Sequence, residues 1–479
     1  MATADKDLER RLEMPDLFLE SDLSRGIVAW DGQNDLQNPS GMIVLSFLTS
    51  TIVTPAASTI TDEFHVNSNI LSSMITTIFV FAYLFGPLVL SPLSELYGRR
   101  IILNSAHALF TLSHIGCALA PDVGAFLTFR ILSGFGGSVS LSVGGGIVAD
   151  LFAIEQRGVA NALVATGSVF GPVLGPLFGG IITQNIGWRW IFWVLLVSCA
   201  VMATLMAIFA PETNASVIIR RKTLKMREQL GIQDLQSGYD SEKDLISFRR
   251  PWGSLTCAVS RPWKMFFRSP LLLVLCLIVG LVSALLYTLL TTTSSIFQDD
   301  YSWSLEAAGL AYLGLGFGSL VGLILFAKTS DIIVSRLTKA NNNTFEPEMR
   351  IVTAFVPALL IPVSFFWYGW STYVHAHWIV PLIGLAPFGF AQVGLTASAQ
   401  AYLIDAAGPY AASAVACVTS VRCLFGAFVP LVAPSLYETL GLGWGNSLLG
   451  FISLIMLALT TIVYRFGESL RLRHPLSIE

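Results

Sequence analysis

Twelve stretches of this chain stay apolar long enough to cross the roughly 30 Å hydrocarbon core of a bilayer. That repetition restricts the fold more than any other feature. The stretches lie near 42–60, 68–92, 101–120, 125–149, 159–183 and 189–209. After a polar segment over 210–269, six more lie near 270–292, 305–327, 351–370, 378–399, 411–437 and 446–464. Inside hydrocarbon every backbone N–H and C=O has to find its partner within the protein, so spans of this length are read as α-helices. Of 479 residues, 54% are hydrophobic and 12% are charged, and the mean hydropathy is +0.67. Soluble domains carry about 25% charged residues. The expected fold class is an all-α polytopic membrane protein.

Basic residues orient the spans. With a cytoplasmic N-terminus, the inner segments are 1–41, 93–100, 150–158, 210–269, 328–350, 400–410 and 465–479. They hold every lysine and arginine except Arg130, Arg189 and Arg422, which fall within spans. The reverse orientation would put that basic surplus outside, against the positive-inside rule. The chain therefore divides into a disordered cytoplasmic tail (1–41), a six-helix half (42–209), a cytoplasmic linker (210–269), a second six-helix half (270–464) and a cytoplasmic tail (465–479). The charged, polar start contains no cleavable signal peptide. The linker opens with a basic stretch at helical spacing, read as an amphipathic helix lying on the membrane surface. Two related halves suggest a transporter with its site near the bilayer midplane. The net charge of −3 points to no partner, and nothing suggests nucleic acid. Six cysteines show no paired spacing, and five lie in apolar runs, so neither disulfides nor a metal site are expected. No cofactor is implied.

Three stretches carry the functional signal. The turn after the second span reads Gly86-Pro87-Leu-Val-Leu-Ser91-Pro92-Leu-Ser94-Glu95-Leu-Tyr97-Gly98-Arg99-Arg100. A carboxylate at a helix end and two arginines in a tight turn suit a latch between helix ends. Arg130 stands in the fourth span, where a charge is expensive and by default faces the protein interior or a water-filled cavity. Asp150 follows twenty residues later, about 30 Å along a helix, too far to pair with Arg130 but close to Arg157 at the inner edge. The fifth span carries Gly171-Pro172-x-x-Gly175-Pro176-x-x-Gly179-Gly180, a kinked, close-packing face that only neighbouring helices satisfy. Gly144-Gly145-Gly146 has no preceding strand and is a packing point, not a phosphate loop.

At these positions the chain resembles the major facilitator superfamily. The turn is similar to that family's Gly-x-x-x-Asp-Arg-x-Gly-Arg-Arg, with Ser91, Glu95 and Leu96 as departures and Gly98, Arg99 and Arg100 as matches. Arg130 with Gly134 resembles the family's fourth-helix Arg-x-x-x-Gly. The resemblance links Arg130 to proton handling and Asp150 to a cytoplasmic charge relay. The fifth-span pattern resembles that of the drug:proton antiporters, where it separates exporters from importers. Pro211-Glu212-Thr213, Glu346-Pro347-Glu348-x-Arg350 and Leu442-Gly443-Trp444-Gly445-Asn446-Ser447 look like the fungal twelve-helix antiporters, a group of multidrug pumps and secondary-metabolite exporters. In the second half, Gly318 and Asp331 survive from the latch motif without its arginine pair. The resemblance implies a major facilitator fold and proton-coupled efflux by alternating access. It also implies no enzymatic step, a monomer, and a plasma-membrane location with a vacuolar or other endomembrane alternative. Import by proton symport and a non-transporting sensor are the rival readings.

No span contains an Asp or Glu near mid-depth. A pump for cations would need a buried carboxylate to offset its cargo's charge, so the expected cargo is an amphiphile that is neutral or weakly acidic. Candidate proton carriers are Asp150 and Glu95, or His107 and His114, which share one face of the third span. Phe79, Tyr83, Ser138, Tyr287, Tyr312, Phe317, Gln392 and Arg422 are candidates to line the substrate cavity.

Overall fold

A computed structural model describes residues 27–28, 42–66, 68–140, 143–144, 147, 157–230, 236–237, 260, 263–407 and 411–473. Most of the tail before residue 42, most of the linker after Leu230, and Asp150 lie outside the described residues. The helices of the first half are α1 (Met42–Thr51), α2 (Ala57–Glu63), α3 (Asn69–Ala82), α4 (Gly86–Tyr97), α5 (Arg99–Ala118), α6 (Val123–Gly137), α7 (Arg157–Ile186) and α8 (Arg189–Phe209). Linker helix α9 (Ala215–Leu230) follows. The second half contains α10 (Pro270–Asp299), α11 (Leu305–Leu310), α12 (Tyr312–Ala340), α13 (Phe355–Tyr373), α14 (Ile379–Gly384), α15 (Ala386–Ala407), α16 (Ala411–Phe428) and α17 (Ala433–Arg473). A two-residue parallel pairing joins β1 (Ile27–Val28) to β2 (Gln236–Ser237).

These helices assemble into the twelve expected spans, several of them broken where proline removes a backbone donor. The first span breaks between α1 and α2 around Pro55, and the second breaks just before Gly86-Pro87. Gly441, at φ 71°, interrupts α17 and turns the eleventh span into the twelfth. Positive φ favours glycine, so this hairpin needs almost no loop.

Both halves pair their helices in one order. The first span packs on the fifth (α1 with α7), the second on the fourth (α3 with α6) and the third on the sixth (α5 with α8). The seventh packs on the eleventh (α10 with α16), the eighth on the tenth (α12 with α15) and the ninth on the twelfth (α13 with α17). Between halves, the second span meets the eleventh and the fifth meets the eighth. The protein therefore has the major facilitator architecture of two six-helix halves.

Small residues set the closest approaches. A Cβ on Gly175 would lie 2.9 Å from the backbone N of Ile52 and 3.0 Å from the carbonyl O of Leu48, and one on Gly171 would lie 2.8 Å from the N of Leu48. Thr51 donates from Oγ1 to the Gly171 carbonyl at 3.1 Å. The glycines of the fifth span therefore seat it directly on the first, as expected of small-residue interfaces in lipid, where dispersion rather than the hydrophobic effect holds helices together.

At the outer surface Glu63 accepts from Trp188 Nε1 at 2.5 Å and pairs with Arg189. The indole donor, then Arg189, holds the Glu63 carboxyl below its ordinary value against the opposing effect of burial. Arg189 lies 4.3 Å over the Trp188 ring and belongs to the membrane edge, which leaves Arg130 and Arg422 as the arginines at depth.

Replacing Gly175 with Val should destabilise the protein by about 1–3 kcal/mol, the usual effect of overpacking, and lower its melting midpoint in detergent. An unchanged midpoint would mean that the first and fifth spans do not meet at this distance.

Candidate functional site

Arg130 is sealed within the first half, with no exposed surface. Its Nη1 donates to the Thr49 carbonyl of α1 at 3.1 Å, and its guanidinium carbon lies 4.8 Å from the centre of the Phe79 ring of α3. Among the described residues no carboxylate pairs with it, and Nε and Nη2 have no hydrogen-bond partner. Gly134, one turn further on, lets α6 approach α3 so closely that a Cβ there would lie 2.7 Å from Ala82 Cβ. Arg130 is thus held by one carbonyl and one aromatic face, with two donors unused. A cation in this setting depends on the ring quadrupole and the carbonyl for nearly all its compensation.

His107 and His114 of α5 are both buried, and His114 lies near Arg130. His107 Nε2 lies 3.0 Å from Ser140 Oγ, and His114 Nδ1 lies 2.7 Å from the Phe110 carbonyl. Because Nδ1 of His114 faces a carbonyl, it is the protonated nitrogen of the neutral ring, leaving Nε2 as an unpartnered acceptor. Phe110 and Phe192 pack against its ring.

Phe79 continues the chain of contacts inward. Its ring centre lies 5.2 Å from that of Tyr83, which in turn lies 6.3 Å from Phe47. Tyr83 packs in one cluster with Leu84 and Cys423, against Tyr287 of α10. Arg422 and Cys423 of α16 are near enough to act electrostatically on both phenols. Gly426 gives Tyr287 its room, since a Cβ there would lie 2.8 Å from the ring. Ser420 donates to the Leu84 carbonyl across the two halves at 3.3 Å. Phe79, Tyr83, Tyr287 and Arg422 therefore converge where the halves meet, near the middle of their spans.

The other cavity candidates fall elsewhere. Phe317 is 67% exposed and shares an apolar stripe with Leu310, Leu313 and Ile324, opposite buried Tyr312 and Ser319, while the glycines beside it press the other sides of α12 onto neighbouring helices. Tyr312 is satisfied inside the second half, donating to the Leu290 carbonyl at 2.7 Å and accepting from the N–H of Ser294 at 3.2 Å. Ser138 donates to the Phe135 carbonyl at 2.6 Å and fills the place a side chain at Gly86 would take. Gln392 donates to Ser319 at 3.2 Å, bracing the tenth span on the eighth.

At the end of the bundle that holds the arginine turn, the described carboxylate is Glu212. Its oxygens accept from the backbone N–H groups of Arg99 at 2.7 Å and Arg100 at 3.2 Å, and from Thr213 and Asn214 at 3.1 Å. Arg99 also donates to Ser94 and Arg100 to the Ala207 carbonyl. Glu212 thus sits on the positive end of α5 and ties the third span to the sixth, a role the sequence reading did not assign to it. Its signal was its position, directly after the last apolar residue of the sixth span. Glu95 and Arg157 stand on α4 and α7, but their side chains lie outside what is described.

The second half has an answering clamp, with the charges exchanged. Glu348, before the ninth span, is 6% exposed. Its Oε1 accepts from Arg471 Nε at the end of the twelfth span and from the Tyr402 hydroxyl, each at 3.3 Å. Arg350 pairs with Asp405 at 3.0 Å. Here the cation comes from the twelfth span.

On the outer side the fifth span bridges the halves. Gly180 faces the Leu305 carbonyl, and a Cβ on Gly309 would lie 2.8 Å from the Pro176 carbonyl. Gln184 accepts from the Glu306 N–H at 2.8 Å. Gly171, Gly175 and Gly179 face the first span, while Pro176 and Gly180 face the eighth.

A polytopic helical carrier with a polar, aromatic centre between two pseudo-equivalent halves is a membrane transporter. Residues 40–430 match the Major Facilitator Superfamily model, and the chain belongs to that family. It is 39% identical to the MFS transporter cpaT of Aspergillus oryzae, over 94% of this chain and 93% of that one. It is 36% identical to the efflux pump radE of Floropilus chiversii, over 95% and 86%. The xylose transporter XylE from E. coli has the same fold, with a TM-score of 0.64 at 16% identity over 89% of this chain and 96% of that one.

Glu348→Ala and Arg471→Ala should each lower the melting midpoint. The double variant should lose less than their sum, with a coupling of about 1 kcal/mol for a contacting pair. Strict additivity would show that the two do not interact.

Proposed function

We propose that this transporter exports small amphiphilic molecules, neutral or weakly acidic, in exchange for protons. The observation that carries this reading is the central pair of arginines, Arg130 and Arg422, without a carboxylate partner among the described residues. A site that carries positive charge repels cations and tolerates neutral or anionic cargo. The two-sided fifth span supports alternating access: its glycine face moves with the first half, while its Pro176 face is the outer contact to be broken. The printed name of radE supports the outward direction.

Coupling falls to Arg130 with the neighbouring His114 and His107, and to the inner-edge group of Asp150, Glu95, Arg99, Arg100 and Arg157. Arg130 biases the protonation of any group near it, since a guanidinium stays charged. The protein acts as a monomer in the plasma membrane, with both termini cytoplasmic.

Reconstituted protein should move a neutral or acidic amphiphile against its gradient when a pH gradient is imposed, and the movement should stop with a protonophore. Arg130→Gln should lower the driven flux about tenfold or more, the loss expected when a charged hydrogen-bonding group is removed. Arg130→Lys should recover little, because an ammonium does not reproduce the fork that spans Thr49 and Phe79. Flux insensitive to the pH gradient would overturn proton coupling, and transport confined to cations would overturn the cargo class.

A further inference from the structure

Arg130 and Arg422 are not equivalent. Arg130 is sealed, whereas Arg422 is half-buried and stands on a face of the eleventh span that the second and seventh spans share. Among the described residues no ion pair joins Arg422 to a carboxylate. Tyr83 and Tyr287 approach from different halves, Cys423 is the adjoining residue, and Ser46 and Ser50 of α1 lie beside the two phenols. Ser50 is committed to the Phe47 carbonyl at 2.6 Å. The Tyr83 hydroxyl is buried with no hydrogen-bond partner.

A buried phenol without a partner loses free energy relative to water, and a guanidinium without an anion loses more. Together they present O–H and N–H donors to one place, with no acceptor of matching charge. That is the complement of a delocalised oxyanion, since planar two-oxygen groups take the guanidinium fork bidentately. Phe79 and Phe47, both buried, pack their rings against Tyr83 on the apolar side of this group. An amphiphile with an acidic head and an aromatic or aliphatic body matches both parts.

We propose that Arg422, with the hydroxyls of Tyr83 and Tyr287, binds the anionic head of the cargo, a carboxylate or an acidic enolate. This deepens the efflux reading and rests on it, because it narrows the cargo from neutral or acidic to acidic. The site takes groups from the second, seventh and eleventh spans, so it is complete only while the two halves touch around Leu84 and Ser420. Rocking the halves apart separates Tyr83 from Arg422 and weakens the hold on the anion. Exchange of one anion outward for one proton inward moves two positive charges inward. Transport is therefore driven by an inside-negative membrane potential as well as by the pH gradient.

Binding of 2-naphthoate and of 2-naphthamide, which match in shape and differ in charge, tests the site in purified full-length protein by tryptophan fluorescence. The wild type should bind the acid about tenfold more tightly than the amide, a difference of about 1.4 kcal/mol. Arg422→Gln should bring the two affinities together, and Arg422→Lys should retain part of the preference. Tyr83→Phe, which keeps the ring, should weaken naphthoate alone. Replacing chloride by gluconate should leave the ratio unchanged; a preference that follows the inorganic anion would overturn the proposal. So would equal affinities in the wild type, no binding of naphthoate at millimolar concentration, or an unchanged ratio in Arg422→Gln. Proton-driven flux of both probes without preference would reject the anion site but keep the efflux reading. Binding preference without proton-driven flux would reject the efflux reading but keep the site.

Discussion

The fifth span holds two contacts at once, and the architecture depends on both. One face has no side chains at Gly171, Gly175 and Gly179, so α1 lies against its backbone. The opposite face presents Pro176 and Gly180 to α11 at similarly short range. Proline at 172 and 176 removes two N–H donors from the helix, which frees carbonyls along the same segment. In lipid those carbonyls need partners, and close approach by neighbouring helices covers them. A helix seated rigidly on its own half and touching the other half backbone to backbone is suited to sliding or parting as a unit. Bulky interdigitated side chains there would resist such motion, because packed interfaces move between discrete arrangements.

Charge is distributed with equal economy. Acidic side chains in the described structure work at helix ends: Glu63 with Arg189 outside, Glu212 on the start of α5, Glu348 with Arg471, and Asp405 with Arg350 inside. Glu212 ties the third span to the sixth and Glu348 with Arg471 ties the ninth to the twelfth, the same positions in each half with the signs exchanged, while Asp405 with Arg350 ties the tenth to the ninth. These clamps hold each half together as a body. They leave the contacts between halves to weaker contacts: the Ser420–Leu84 hydrogen bond, the Phe81–Phe428 ring contact at 5.6 Å, and the Pro176–Gly180 face of the fifth span. Strong bonds within halves and weak ones between them are what rigid-body rocking requires.

Much of this was legible in the residue order. Span number follows from apolar length alone, because a bilayer imposes a single length scale on every helix. The fifth-span glycines declared a packing face at i, i+4 and i+8. Arg130 and Arg422 announced themselves as charges in hydrocarbon. Phe317 and Tyr312 show where that legibility ends. An aromatic residue in a membrane helix is equally at home facing lipid, core or cavity, so hydropathy does not separate the three. Only the rotational setting of α12, fixed by the glycines at 314, 316 and 318, decides between them. Glu212 was missed for a different reason: its partners are backbone N–H groups more than a hundred residues earlier, and backbone donors leave no trace in side-chain pattern.

The contrast between the two deep arginines then follows from their settings. A cation with no exposed surface, fixed by Thr49 and Phe79, exchanges nothing with solvent and acts only through its field on groups beside it, among them His114. A half-buried cation at the seam of the two halves keeps part of its surface open to a partner. On the function proposed above, one of them governs protonation and the other cargo, and the Phe79–Tyr83 ring contact joins them. Movement of Tyr83 as the halves part shifts the ring that neighbours Phe79 and so changes the packing beneath Arg130. On that proposal the proton site and the cargo site share the packed aromatic pair, a physical element whose position both would bias, as coupling between two sites requires.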